Sequence, residues 1–240
     1  MRPKTVTTFS FSGIDGAGKS TQIEELYRYL QQSGRRVRIY TFWDDVVAFS
    51  SLREGMSLSL FRGERGVGTA DRPIRRRDKN VTSGFLVVFR LLLYALDVLR
   101  LCLITYRTAA ADADVIIFDR YIYDELANLP LQRRFVQLYI RLLLRLAPKP
   151  DIAFLVDADP EAACARKPEY PLDFVRRNRE AYLTLARMAG ITVLAAGSVE
   201  QAGASIRALV SGYFSANAER PVSFPLEYQA SSSSGTGTSG

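Results

Sequence analysis

Eight residues near the amino terminus, Gly13-Ile14-Asp15-Gly16-Ala17-Gly18-Lys19-Ser20, fit the pattern G-x-x-x-x-G-K-[ST] of a P-loop. Glycines at this spacing let the backbone curl until successive N–H groups, and the positive end of the following helix, point at phosphate oxygens. In that pattern Lys19 reaches the β- and γ-phosphates, and the Ser20 hydroxyl offers an oxygen to a magnesium ion. The flanks agree. A β-branched and aromatic run, Thr5 to Phe11, precedes the loop, and Ile23, Leu26, Tyr27 and Leu30 follow it at i, i+3, i+4 and i+7, one apolar helix face. A strand–loop–helix unit that holds nucleotide phosphates is the chemistry these residues predict.

The composition narrows what else the chain can do. It has 240 residues and no histidine, which removes Ser-His-Asp and Cys-His catalysis. Two cysteines, Cys102 and Cys164, are too few for a structural zinc site, and both are expected to be reduced thiols in a cytoplasmic protein. Chemistry must therefore run on lysine, arginine, carboxylates, hydroxyls and a metal ion. The net charge of +7 suits a polyanionic ligand. No aromatic-interleaved basic motif accompanies it, so nucleic acid is a minor option. Met1 to Lys4 run directly into the first strand, so no leader is expected.

Several elements must position the loop. A second strand is predicted over Val37 to Phe42, after a helix closed by Gly34. A long irregular stretch to about Asn80 follows, in which Arg62, Arg65, Arg72, Arg75, Arg76, Arg77 and Lys79 outnumber Glu64, Asp71 and Asp78. It reads as a solvated loop or as a docking surface for an anionic partner. Phe85 to Tyr106 is strongly apolar, but Arg90, Asp97 and Arg100 interrupt it, so it is not a transmembrane segment. It predicts a buried or interfacial helix whose thin polar stripe, Arg90, Tyr94, Asp97 and Arg100, faces a cavity, with attachment to a membrane surface as the lesser alternative. A homodimer packed through residues 85–106 is expected from that apolar surface.

Val115 to Phe118 reads as a strand buried on both faces and ends in Asp119-Arg120-Tyr121. A helix over Leu131 to Leu146, a strand over Ile152 to Val156 closed by Asp157, and helices over Pro160 to Arg166 and Leu172 to Ala189 follow. A fifth strand, Ile191 to Leu194, and a last helix, Val199 to Tyr213, complete the pattern. Alternation of this kind predicts an α/β fold, a doubly wound five-stranded parallel sheet with flanking helices. Residues 1–213 form the expected domain, with a lid around 164–172. Residues 214–240, rich in serine and glycine, are expected to stay disordered.

With these residues in view, the chain resembles the thymidylate kinase-like P-loop nucleoside-monophosphate kinases over roughly residues 5 to 212. Four stretches carry the resemblance: Phe11 to Gln22; Asp119-Arg120-Tyr121; Arg166-Lys167-Pro168-Glu169 with Phe174 to Tyr182; and Ala195 to Glu200 after the last strand. It implies the P-loop kinase fold and transfer of the ATP γ-phosphate to a nucleoside monophosphate, thymidylate first, with ATP and Mg2+ as cofactors. Gly13, Asp15, Gly16, Ala17, Gly18, Lys19, Ser20 and Thr21 would bind the nucleotide, and Asp15 would also meet the acceptor's sugar 3′-hydroxyl. Asp119 would help hold magnesium through water, Arg120 would grip the acceptor phosphate, and the lid residue Arg166 would supply the catalytic arginine that the P-loop lacks. Residues 195–200 would touch adenine.

The departures fall on the acceptor side. Trp43-Asp44-Asp45 stands where the family has Glu-Pro-Gly-Gly-Thr, and Val98 stands where it has an arginine. Tyr94 replaces a phenylalanine that stacks on the base, with Asp97 on the same face as a further acceptor candidate. Tyr123 to Asn128 replaces a segment bearing serine and tyrosine, and the lid is short. A kinase for another acceptor, nucleoside or phosphorylated metabolite, and a P-loop protein that binds ATP without transfer both remain open at this point.

Overall fold

A computed structural model describes residues 6–47, 84–110 and 113–218. The basic stretch Arg62 to Lys79 and the tail from residue 219 lie outside the described residues, as does the Arg90 side chain. Five strands form one parallel sheet: β1 (Thr7–Ser12), β2 (Val37–Thr41), β3 (Val115–Asp119), β4 (Ile152–Val156) and β5 (Thr192–Leu194), in the order β2-β3-β1-β4-β5. This is the α/β sheet that the alternating elements predict, with strand ends within a residue or two of those expected. β1 is central because Phe9 and Phe11 are apolar and fully buried, and parallel neighbours β3 and β4 bury their own runs against both sides. The chain crosses from one side of β1 to the other, so the crevice at the carboxyl ends of β1, β3 and β4 is where a ligand belongs.

The helices are α1 (Lys19–Gln32), α2 (Gly84–Ala110), α3 (Ile122–Leu126), α4 (Arg134–Leu146), α5 (Pro160–Arg166), α6 (Leu172–Ala189) and α7 (Val199–Ala218). The short helix α3 and a π-helical turn over Phe42–Val46 were not expected from the sequence. Asp159 caps α5 by accepting the Ala162 N–H at 2.9 Å, with Pro160 at the first helical position. Gly190 ends α6 in the left-handed conformation. Helix α7 continues past Tyr213 because Phe214 still packs, its ring 6.1 Å from that of Phe9 and 3.5 Å from the Arg35 guanidinium carbon.

Helix α2 turns much of its polar stripe inward. It packs on the π turn, α3 and α4 with Tyr94, Asp97, Val98 and Leu101 buried, while Leu92, Leu96, Leu99, Leu103 and Tyr106 are exposed. The stripe with most of the polar residues is thus the inward one. Arg100 reaches around to the π turn, donating to the carbonyls of Val47 at 2.8 Å and Asp45 at 3.3 Å. No helix among the described residues is long and apolar enough to cross a membrane. Cys102 and Cys164 are free thiols.

Candidate active site

The glycine loop leaves the buried end of β1 and enters α1 with Gly13, Gly16 and Gly18 all at positive φ. At two of them a side chain has no room. A Cβ on Gly13 would lie 2.5 Å from the Val156 carbonyl oxygen of β4, and one on Gly16 would strike the Ala163 carbonyl oxygen of α5. The loop is therefore pressed against β4 and α5. Lys19 is 7% exposed, and its ammonium donates to the carbonyls of Gly13 (2.8 Å) and Ile14 (2.9 Å). Burial, and after it the Arg120 charge, lowers its pKa to about 8 against the pull of Asp15, Asp124 and Asp119. Ser20 and Thr21 stand exposed in the first turn of α1.

The same charges define the rest of the site. Asp119 ends β3 beside Phe11 in the register, and burial raises its pKa, with Arg120 and Lys19 opposing. The Arg120 backbone N–H donates to the Phe11 carbonyl at 2.9 Å, which ties the end of β3 to β1. Its guanidinium pairs with Asp15 and with Asp124, the latter at 3.1 Å. Burial disfavours that charge, yet Asp124, Tyr182 and Asp15 hold the arginine's pKa above its usual value. Lys19, Asp15, Asp119 and Arg120, singled out in the sequence, thus form one electrostatically coupled cluster at the carboxyl edge of the sheet.

The residues expected to form a lid lie at the end of α5 and between it and α6. Arg166 is exposed in the last turn of α5, its Nε 3.2 Å from the Ala162 carbonyl. Lys167 pairs with Glu169 at 3.1 Å, and Arg176 with Glu161, so Arg166 is the lid arginine without a carboxylate partner among the ion pairs seen in the described residues. Gln22 Nε2 donates to the Val199 carbonyl at 2.9 Å, fixing α1 to the start of α7. Tyr94 and Asp97 are both buried. Asp97 stands near enough to Tyr139 of α4 that its charge, after burial, raises the Tyr139 pKa. Val98 is 5% exposed and belongs to the core.

Asp124, Tyr182, Asp157 and Arg179 were not singled out as site residues from the sequence. Arg179 grips Asp157 at the end of β4 with two 2.7 Å bonds. The signal for Asp157 was present: like Asp119, it is a carboxylate closing a buried strand at the ligand-binding edge. Asp124 and Tyr182 carry no comparable local mark.

Ser20 and Asp119 are hard oxygen donors of the kind magnesium takes. Among the described residues no group of three or more His, Cys, Asp or Glu could cage a metal by itself. Magnesium, which keeps waters and shares phosphate oxygens with one or two protein ligands, fits so sparse a donor set.

No protein-family model matches the chain. A thymidylate kinase from Bifidobacterium longum subsp. infantis is 32% identical over 187 residues, covering 74% of this chain and 72% of that protein. Another, from Bifidobacterium longum strain DJO10A, has the same identity and covers 82% of its own length. A probable thymidylate kinase from Archaeoglobus fulgidus is 23% identical over 211 residues, 84% of this chain and 93% of that protein.

Proposed function

Because the chain belongs to the thymidylate kinase family, we propose that it transfers the γ-phosphoryl group of ATP to a nucleoside monophosphate, thymidylate first, with Mg2+. The observation that carries this reading is the buried Lys19 ammonium in the glycine loop, electrostatically coupled to Arg120, Asp15 and Asp119. Phosphoryl transfer asks for positioning and charge neutralisation rather than covalent chemistry, and this cluster supplies both signs of charge in a desolvated cleft. In the proposed reaction Lys19 balances charge on the transferring group, and Arg120 holds the acceptor's phosphate. Asp15 orients the sugar, and Arg166 swings in from the lid as transition-state charge spreads. Magnesium, held by Ser20 and by Asp119 through water, would neutralise the phosphates when bound.

A coupled assay for ADP, run with and without deoxythymidine, deoxyuridine, deoxycytidine and deoxyguanosine monophosphates and with free nucleosides, tests the proposal. Thymidylate-dependent ADP is the expected result. ADP formed without any acceptor would instead make the protein an ATPase. Activity confined to a nucleoside would move the acceptor, and no ADP at all would leave a binding protein.

We also infer a homodimer through α2. Leu92 is 62% exposed, Leu99 65% and Tyr106 75%, and Leu138 and Leu146 of the adjoining α4 extend the surface. So many large apolar side chains side by side exceed what a monomer ordinarily leaves in water. The two free thiols suit a reducing compartment, and the cytoplasm is the one we infer.

A further inference from the structure

Arg120 is the one non-glycine residue at positive φ among the described residues, at 68°. A side chain with a Cβ keeps that conformation only where its surroundings over-determine it. Here a single carboxylate does so from both ends of the residue. Asp124 Oδ2 accepts the Tyr121 N–H at 3.1 Å, pinning the peptide that follows Arg120, and it also accepts the Ser12 hydroxyl at 2.6 Å. Its other oxygen, Oδ1, accepts Arg120 Nη1 at 3.1 Å and the Tyr182 hydroxyl at 2.7 Å. Four donors, from the end of β1, the loop after β3 and the middle of α6, converge on a side chain that is 2% exposed. The second guanidinium nitrogen, Nη2, pairs with Asp15, whose side chain is 18% exposed.

We propose that Asp124 is a positioning residue for the acceptor's phosphate: it fixes both the backbone and the guanidinium of Arg120, and so aims at the phosphate the Nη2 edge that Asp15 pairs with in this structure. The proposal rests on the kinase reading for the identity of that phosphate. Four donors at one place call for a carboxylate rather than a hydroxyl. A hydroxyl cannot accept four hydrogen bonds, whereas a carboxylate has the lone pairs to do so. Tyr182 and Ser12 are the outer supports. They make no ion pair with Arg120 but hold the carboxylate so that its own rotamer is fixed.

Asp124→Asn keeps the shape and replaces one oxygen by an amide, so either the Arg120–Tyr182 pair or the Ser12–Tyr121 pair of donors faces another donor. Tyr182→Phe is the milder change, removing one support and leaving the ion pair. Two measurements on the full chain decide the matter. The first is independent of catalysis: nuclear magnetic resonance of the protein labelled with 15N at arginine, with the Arg120 side-chain signals assigned through Arg120→Lys. Slow rotation and resolved Nη protons are expected in the unaltered protein, averaging in Asp124→Asn, and partial averaging in Tyr182→Phe.

The second is steady-state kinetics. The acceptor KM is expected to rise at least about tenfold in Asp124→Asn, in the same direction but less in Tyr182→Phe, with the ATP KM unchanged. In an Arg120→Ala background the Asp124 exchange is expected to add nothing, as for residues acting through one group. Unaltered Arg120 signals in either folded variant would overturn the proposal. So would an equal rise in both KM values, or a loss that adds in full to that of Arg120→Ala. If the unaltered protein phosphorylates no acceptor, the kinase reading falls. The resonance measurement, which Tyr182→Phe supplies even should Asp124→Asn fail to fold, then still decides whether Asp124 holds Arg120.

Discussion

Replacing Lys19 by methionine should separate what this residue costs the fold from what it does for the reaction. The ammonium sits almost wholly out of water, and its pKa falls from 10.5 to about 8. At 1.36 kcal/mol per unit, holding the proton in the folded protein costs about 3 kcal/mol relative to the unfolded chain. Below pH 8 both states carry the proton and the cost is present in full. Between pH 8 and 10.5 the unfolded chain binds more protons than the folded one, so the stability of the unaltered protein gains with pH. Lys19→Met has no such proton. It also loses the ammonium's bonds to the Gly13 and Ile14 carbonyls, whose change on deprotonation is already contained in the lowered pKa. Denaturant unfolding of both proteins at intervals from pH 7 to 10.5 should show the unaltered protein gaining about 3 kcal/mol on the variant. In melting temperature this is about 6–12 °C for a chain of this size. A difference that stays flat over that range would refute the account of the lysine as a desolvated cation. Phosphate transfer should meanwhile fall by at least about a hundredfold in Lys19→Met, as for the loss of other preorganised charge-stabilising donors. In the unaltered protein, kcat/KM for ATP should decline as pH rises through about 8, where the free site loses its charge.

Arg166→Ala should lower kcat by at least about a hundredfold while leaving the KM for ATP nearly unchanged, because a lid arginine acts on transition-state charge. An unchanged kcat would move the role to Lys167 or remove it. Gly16→Ala places a Cβ against the Ala163 carbonyl at a residue with φ of +81°, so ATP affinity measured by calorimetry should drop sharply. Normal affinity would show that the loop and α5 separate freely. Leu138→Glu puts a charge into the exposed apolar surface of α4, where Leu138 is 68% exposed, and should yield monomers in sedimentation experiments without lowering the melting temperature of the domain. A sedimentation coefficient equal to that of the unaltered protein would refute the proposed dimer through this face. Val98→Arg, which would restore the family's arginine, should instead destabilise the protein, since Val98 lies in the core and an unpaired buried guanidinium is costly.

The geometry of the loop was legible in the sequence because it is local. Eight consecutive residues bring their own backbone amides, lysine and hydroxyl to one place, and the preceding strand and following helix announce themselves by period. Asp119 and Asp157 were legible as strand ends for the same reason, and the parallel sheet followed from the order of the elements. The detailed packing of α2 was not. A helix apolar on most sides has no period to say which leucines turn inward. That is decided by the shapes of α3, α4 and the π turn, which here bury Tyr94, Asp97 and Val98 and leave Leu92, Leu99 and Tyr106 outside. Asp124 was equally silent. Ser12 lies 112 residues before it and Tyr182 58 residues after it, and neither spacing is a motif. Only the packing of α6 beside the carboxyl ends of β1 and β3 brings those hydroxyls to one carboxylate, because a desolvated charge is stable there only where several donors meet it at once.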